Sequence, residues 1–383
     1  MRVEYVQEEM SSKRARIMSK KVLDFFPRIR ILRTISNPKR FGGKQLATIK
    51  DISQMTGFSI TTVSRALNGY SDVSDSTRKL IKEAAETLNY SPNGLARGLV
   101  MKETKTLGLL VSGMTYKNID NNFVFEVLCG INDSAANSDY DLILFSTNTA
   151  KQKMKTYTQL CRERKVDGVI LQGVKTDDPY LQEVLDSDIP CVLIDIPIHS
   201  EYVGFVSTNH KQSAQTAVEH LIGLGHRQIA MVNGYPEAFV SKERYEGYSD
   251  AMSNAGLNLN PEWIVNGNFT EEEAQQQASK LLKAYPEITA IFCASDMMAL
   301  GVMKAANELN ISIPDRLSVV GFDDIPTAAY FHPPLTTIGQ NMYQLGHEAA
   351  NLLMGMLRSE DSPKFNILQN ELVLRSSTAK PGR

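Results

Sequence analysis

The stretch ATIKDISQMTGFSITTVSRALNG, residues 47–69, sets two short amphipathic segments on either side of a break. Ile49, Ile52 and Met55 recur at helical spacing. Thr48 with Asp51 has the form of a capping box, with Asp in place of the usual Glu. Gly57 stops the helix, as a residue able to turn left-handed does. Ser59 is a good N-cap for a second helix whose Val63, Ala66 and Leu67 face inward, and Asn68-Gly69 closes it. Two helices joined this tightly make the helix-turn-helix pattern, whose second helix lies in the DNA major groove. On that reading Thr48, Ser59, Ile60, Thr61, Thr62, Ser64, Arg65, Asn68 and Tyr70 face the duplex. Arg65 suits a bidentate pair with guanine, Thr61 a base edge or methyl, and Ser59, Thr62 and Ser64 suit phosphates. Taken alone, the pattern also suits a helical hairpin with a solvated face.

A third helix follows. Ser74-x-x-Thr77 starts it, Leu80, Ile81, Ala84, Ala85 and Leu88 form its stripe, and Asn89-Tyr90-Ser91-Pro92 ends it. Together TIKDISQMTGFSITTVSRALNG and VSDSTRKLIKEAAETLNYSPNGLARGL resemble the DNA-binding headpiece of the lactose/galactose repressor (LacI/GalR) family of bacterial transcription regulators. The resemblance implies a transcriptional repressor that binds a palindromic double-stranded operator as a homodimer under control of a small effector. It also implies a hinge helix in residues 91–104. There Asn93 opens the helix, Ala96 is small enough to sit in the minor groove, Arg97 reaches the DNA backbone, and Leu99 acts as a wedge that kinks the duplex. Gly94 and Gly98 weaken that helix by about 1 kcal/mol each relative to Ala. The hinge is thus expected to sit near its folding threshold.

From residue 105 the pattern becomes alternating strands and helices. Strand-like runs occupy 106–113, 140–147, 167–173, 189–196, 202–208, 228–234, 290–296 and 317–324. Helical stretches occupy 121–136, 151–164, 178–187, 210–224, 242–255, 270–284, 296–309 and 341–358. Such alternation implies parallel sheets covered by helices. The segments HLIGLGHRQIAMVNG (220–234), CASDMMALGVMKAANELNISIPDRLSVVGFDD (293–324) and PPLTTIGQNMYQLGHEAANLL (333–353) resemble the effector core of the same family. The expected fold is a small all-α helix-turn-helix headpiece (46–90) and an α/β two-lobed periplasmic-binding-protein-like domain (105–378). The resemblance puts residues 106–207 and the last 40 residues in one lobe and 208–338 in the other.

Ligands of doubly wound sheets sit outside the carboxyl ends of the strands. Family positions there are Gln172, Asp195, Arg244, Phe269, Ser295, Asp323 and Gln340, the expected effector-binding set. An Arg244–Asp323 pair suits neighbouring sugar hydroxyls, the guanidinium donating and the carboxylate accepting. The resemblance implies an aromatic after Asp195 in a purine-binding relative, and Ile196 stands there, so a sugar or sugar phosphate is the expected effector. The segment around Asn121-Asn122-Phe123-Val124 departs from the family's usual Asn-Pro-Phe-Phe, so no relative's ligand transfers directly. Dimerisation is expected through helix 122–136, helix 296–309 and Ala328–Phe331. NELVLRSSTAKPGR carries no leucine heptads, so no tetramer tail is expected.

Charge and motifs bound the alternatives. The net charge of −2 hides an asymmetry, since residues 1–44 carry twelve Lys/Arg against four Asp/Glu. This arm is expected to be disordered or foreign to the native protein. FGGKQLATIKD (41–51) back-translates to a purine-rich ribosome-binding sequence followed by TTG, an alternative start codon. Residues 1–45 are therefore expected to lie upstream of a true start at Leu46. No run approaches a membrane span and no secretory signal opens the chain, so a cytoplasmic protein with no membrane partner is expected. The four cysteines show no CxxC spacing and the six histidines no metal spacing, so neither metal nor cofactor is expected. No GxSxG, Walker or HExxH motif points to an enzyme. A sugar-binding transport protein of the same fold is the alternative, and a co-regulator protein stays open.

Overall fold

The computed structural model describes residues 47–90, 103–112, 122–146 and 155–382. The extension 1–45, the hinge positions Asn93, Ala96, Arg97 and Leu99, and most of the segment before Phe123 lie outside the described residues. The chain divides into two units, at Thr106 and Leu107.

Among its described residues the first unit holds three helices, α1 (Ile49–Thr56), α2 (Ile60–Leu67) and α3 (Asp75–Thr87). Thr48 donates both its amide and its hydroxyl to Asp51 Oδ2, each at 2.7 Å, which closes the α1 start. Gly57 adopts φ 76° and its amide donates to Ser53 O at 2.9 Å. The Thr62 amide donates to Ser59 Oγ at 3.0 Å, the cap read from sequence. Ile52, Val63, Ala66, Val73, Ile81, Ala84 and Ala85 form the small core. Arg78 Nη2 donates to Tyr70 O at 2.9 Å and Val73 O at 3.2 Å, pinning the α2–α3 loop.

The second unit contains two six-stranded sheets. The first runs in the order β11-β5-β4-β3-β1-β2, from β11 (Phe365–Leu368), β5 (Val203–Thr208), β4 (Cys191–Ile194), β3 (Gly168–Gln172), β1 (Thr106–Val111) and β2 (Asp141–Ser146). The second runs β12-β10-β9-β8-β6-β7, from β12 (Glu371–Val373), β10 (Thr336–Gly339), β9 (Ser318–Asp323), β8 (Ala290–Cys293), β6 (Ile229–Asn233) and β7 (Ile264–Asn266). Strands β1, β3, β4, β5 and β11 pair in parallel, as do β7, β6, β8, β9 and β10, while β12 is antiparallel to β10. All eight strands read from sequence are present. Strands β7, β10, β11 and β12 were not anticipated: they are as short as β4 and β8 but lack the continuous buried apolar run that marks those two.

The chain changes lobe three times. After β5 it enters α7 (His210–Leu224), which packs on α8 (Phe239–Asn254) in the second lobe. After β10 it enters α11 (Met342–Leu357), which packs on α4 (Asn122–Asn137) and on β3, β4 and β5. Between β11 and β12 it crosses back. The last forty residues therefore do not all belong to the first lobe, as the resemblance had suggested. The open edge of β10 takes β12, with Thr337 opposite Val373 and Ile338 opposite Leu372. The tail then stays on that lobe, with Ala379 N donating to Ser318 Oγ at 3.0 Å. Helices α4 and α11 meet at Gly130 and Gly346, where an added Cβ would strike Tyr343 O and Val127 O. The helix proposed for dimerisation thus spends one face on the core.

Candidate functional site

Residues with positive φ cluster where the strands end: Asp195 at 61°, Asn268 at 51°, Phe269 at 58°, Asp323 at 124° and Asp324 at 55°. Asp and Asn tolerate this region, but a bulky Phe there is strained, which singles out Phe269.

Four of the seven effector positions lie in one hydrogen-bonded network. Its centre is His210, the first residue of α7. His210 Nε2 is 2.8 Å from Asp195 Oδ1 and Nδ1 is 3.3 Å from Arg244 Nη2. A guanidinium only donates, so Nδ1 accepts and Nε2 carries the proton that goes to Asp195. Arg244 Nη1 donates to Ala294 O at 2.5 Å and lies 3.8 Å from Asp323 Oδ1. Its guanidinium carbon sits 3.8 Å from the centre of the Phe322 ring. Gln340 Nε2 donates to Asp323 Oδ1 at 2.7 Å, and Thr208 Oγ1 donates to Gln340 Oε1 at 3.1 Å. Ser207 Oγ donates to Asp195 Oδ1 at 3.0 Å.

Burial sets the ionisation here. It holds the His210 imidazole below its ordinary range despite the Asp195 carboxylate, and the facing Arg244 charge adds to the effect. Burial opposes ionisation of Asp195, yet the His210 hydrogen bond, the Arg244 charge and the Ser207 hydroxyl outweigh it, and the carboxyl titrates below its usual range. Asp323 is pushed up to about 6 by burial, against the pull of Arg244 and Gln340. Asp296, wholly buried at the start of α10 (Asp296–Glu308), is raised well above the carboxylate range by burial and by Asp323. It accepts from Thr337 Oγ1 at 2.6 Å and Ile325 N at 2.9 Å.

The other three positions play different parts. Ser295 Oγ accepts from Met298 N at 3.2 Å and so caps α10. Gln172 ends β3 at 2% exposure, and neither of its amide atoms has a hydrogen-bond partner among the described residues. Phe269 meets Tyr235 edge to face, with centroids 5.0 Å apart and planes at 80°. These two rings line a cavity of about 870 Å³. Phe269 also packs on Gly234, beside Ser241 Oγ, whose hydroxyl, like Arg244 Nε, is buried with no partner among the described residues.

Sequence reasoning missed His210, Tyr235 and Ser241. His210 was weighed only for metal spacing, although it directly follows the strand end Ser207–Asn209. Tyr235 follows Asn233-Gly234 at the end of β6, and Ser241 lies three residues before Arg244 on α8, a face-sharing interval. Among the described residues no His, Cys, Asp and Glu group is arranged to hold a metal ion. Among them, too, no helix is long and apolar enough to cross a membrane.

In the three-helix unit, Ile60 and Thr61 stand exposed at the start of α2. Ser59 Oγ and Thr62 Oγ1 bond each other at 2.9 Å, and Asn68 Nδ2 donates to Ser64 Oγ at 3.4 Å. Arg65 is held in a fork by Asp72, at 3.1 Å from Nε and 2.6 Å from Nη2, with its guanidinium carbon 4.6 Å from the Tyr70 ring centre. Asp72 was not anticipated. It occupies the Nε–Nη2 edge of the guanidinium.

A family model described as bacterial regulatory proteins, lacI family, matches residues 48–93, and one described as a periplasmic binding protein-like domain matches residues 218–378. The chain is 35% identical over 338 residues to the HTH-type transcriptional repressor PurR of Photobacterium profundum, across 87% of this chain and 98% of that protein. It is also 35% identical to PurR of Vibrio vulnificus, across 88% and 99%. The structure is similar to that of the lac repressor dimer bound to operator and the anti-inducer ONPF, with TM-score 0.75 and 26% identity over 88% of this chain and 100% of that one. It is similar too to a transcriptional regulator CelR–cellobiose complex, with TM-score 0.67 and 28% identity over 86% and 99%.

Proposed function

The chain belongs to the lacI family of bacterial regulatory proteins and is a DNA-binding transcriptional repressor of that family, and from this premise we propose that it binds a palindromic operator as a homodimer and answers to a sugar or sugar phosphate in the large domain. It works in the cytoplasm, where its DNA is. The α2 face meets the major groove, with Thr61 and Arg65 at base edges and Ser59, Thr62 and Ser64 at phosphates. Thr48, Ile60, Asn68 and Tyr70 also face the duplex, and in the hinge Asn93, Ala96 and Leu99 lie at the minor groove while Arg97 reaches the backbone.

The observation that carries the effector reading is the convergence of Asp195, Arg244, Asp323 and Gln340 at the strand ends. They offer one fork-shaped donor, an amide and two carboxylates, matched to neighbouring hydroxyls that both donate and accept. Gln172, buried and unpartnered, adds a donor and an acceptor. Ser295 supports the site through its cap. A flat base would need two parallel aromatic faces, whereas Tyr235 and Phe269 meet at 80° and present one face between them. Ile196 is buried in the first-lobe core, so the position after Asp195 supplies no ring.

A thermal-shift screen of sugars, sugar phosphates and purine bases tests this reading, because a ligand that binds only the native state raises apparent stability. A sugar must raise the midpoint and change affinity for a palindromic operator. A purine acting alone sinks the sugar assignment. The transport alternative predicts no specific, salt-dependent operator binding.

A further inference from the structure

Resting on the reading of Arg65 as the guanine contact, we propose that Asp72 is a positioning residue that sets sequence discrimination: it clamps one edge of the Arg65 guanidinium so that the remaining Nη1–Nη2 end meets the base.

Geometry is the first argument. Arg65 Nε donates to Asp72 Oδ1 at 3.1 Å, and Nη2 lies 2.6 Å from Asp72 Oδ2. A guanidinium is planar and carries five N–H groups in a fixed fork. The carboxylate takes the Nε–Nη2 edge, which leaves the outer end, with one hydrogen on each Nη side by side. That pair has the spacing that O6 and N7 of guanine accept. The Tyr70 ring centre lies 4.6 Å from the guanidinium carbon, so the ring covers one face. The ring fixes the plane of the fork and the carboxylate fixes its rotation within that plane. The clamp is itself held. Arg78 donates to Tyr70 O at 2.9 Å and to Val73 O at 3.2 Å, on either side of Asp72, and Val73 belongs to the three-helix core. Tyr70 N donates to Arg65 O at 3.1 Å, which ties the loop back to α2.

Charge is the second argument. The two side chains are 43% and 55% exposed, and an ion pair this open adds little to folding stability. A carboxylate beside the groove-facing arginine also opposes the phosphates, which supply the sequence-independent part of binding. Asp72 therefore acts against affinity, and its gain lies in discrimination, which is a difference between affinities. A free arginine facing the wrong base pair swings to a phosphate and recovers its attraction. A clamped arginine must break the Asp72 fork to do so. Ordering the long side chain before contact also lowers the entropy lost on binding the right base.

The test begins by selecting a duplex from a randomised palindromic library with the full chain. Each base pair of the selected duplex is then substituted in turn, in both half-sites. Affinities are measured by fluorescence anisotropy for the wild-type chain, Arg65→Ala, Asp72→Asn, Asp72→Ala, and Arg65→Ala with Asp72→Asn. Arg65→Ala locates the base pair that Arg65 reads. At that pair both Asp72 variants are expected to cut the preference by about fivefold or more, within the range a bidentate contact supplies. Preferences at the other pairs are expected to stay within about twofold, while binding to an unrelated duplex holds or tightens as a negative charge is removed. In the Arg65→Ala background Asp72→Asn is expected to alter no preference. A preference retained in both Asp72 variants overturns the proposal, even where they bind every duplex more tightly, because Asp72 is then an electrostatic mask. Uniform weakening at every pair overturns it as well, because Asp72 then only supports the loop. Failure of the wider reading looks different: no duplex is enriched, or Arg65→Ala changes no preference, and either outcome removes both.

Discussion

Replacing His210 is the sharpest probe of the strand-end network. His210→Ala removes the donor to Asp195 at 2.8 Å and the acceptor facing Arg244 at 3.3 Å. A hydrogen bond to a charged group contributes about 1.5–3 kcal/mol. The lost imidazole also leaves a gap of roughly 60–80 Å³, which at about 24 cal/mol per Å³ adds about 1.5–2 kcal/mol. Asp195 keeps the Ser207 hydroxyl at 3.0 Å, so its penalty is partial. The expected loss is about 3–4 kcal/mol, or roughly 6–12 °C in the midpoint of a unit this large. Trp263, the chain's single tryptophan, lies in the second unit, so its fluorescence reports that unit alone. His210→Gln, which keeps one polar contact, is expected to lose about half as much. A double-mutant cycle with Asp195→Ala isolates the pair and is expected to show about 1.5–3 kcal/mol of coupling. Additivity within about 0.5 kcal/mol would refute the argument, because it would mean that the imidazole and carboxylate do not depend on each other.

Four further outcomes follow from the same geometry. Stability against pH should show two opposed slopes. The folded state holds His210 below 6.5, so an unfolded chain takes up the extra proton and stability is lost as pH falls through that value; His210→Gln removes this slope. Asp323 sits at about 6 against an ordinary 3.8, so its contribution runs the other way, and stability is lost as pH rises between them; Asp323→Asn removes that slope in Trp263-detected melts. Gly57→Ala places a Cβ at φ 76° with open space around it, so a circular-dichroism melt should show about 1–2 kcal/mol lost from the headpiece with the Trp263 midpoint unchanged. Arg65→Ala should weaken operator binding by about 1–3 kcal/mol and relax the preference at one base pair per half-site, measured on an operator substitution series. Gly94→Ala with Gly98→Ala should tighten operator binding and blunt the effector response, and unchanged affinity and response in a mobility-shift titration would sink the hinge as coupling element.

What sequence reading reached depended on length of pattern. Strands such as 203–208 and 229–233 are buried at every residue and announce themselves as apolar runs. The strand Glu371–Val373 has three residues, one of them exposed, and its place depends on an open edge of β10 that only the assembled sheet provides. Asp323 was legible as a carboxylate at a strand end, and Arg244 through the resemblance of its segment to the family's effector arginine. His210 was not, because its role comes from Asp195 and Arg244 approaching it from two different lobes, fifteen and thirty-four residues away. Gly57 and Ser59 were read correctly because capping is decided within a few residues. The Arg65–Asp72 fork spans a turn whose geometry the sequence does not display.

The placement of the network bears on how a ligand could control DNA binding. Thr208 and His210 flank the first crossing between the lobes, and Gln340 lies at the second. Asp195 belongs to one lobe and Arg244, Asp323 and Asp296 to the other, so the chain His210–Arg244–Asp323–Gln340–Thr208 runs from one connector to the next. A hydroxyl that binds the Nη groups of Arg244 competes with Ala294 O, Asp323 and His210, which those groups already face. A ligand engaging Asp323 likewise competes with Gln340. Ligand binding and the geometry of the two connectors therefore draw on the same few donors. A ligand shifts an equilibrium only by its differential affinity for the two states, and here the difference has a physical source: the crossing strands are held by the very groups the ligand takes. Burial lifts the Asp323 carboxyl to about 6, so it is part-protonated near that pH. A carboxyl poised at about 6 gains more from a new donor than one already fully ionised and paired, so ligand binding should release a proton, detectable as a buffer-dependent heat in calorimetry near pH 6.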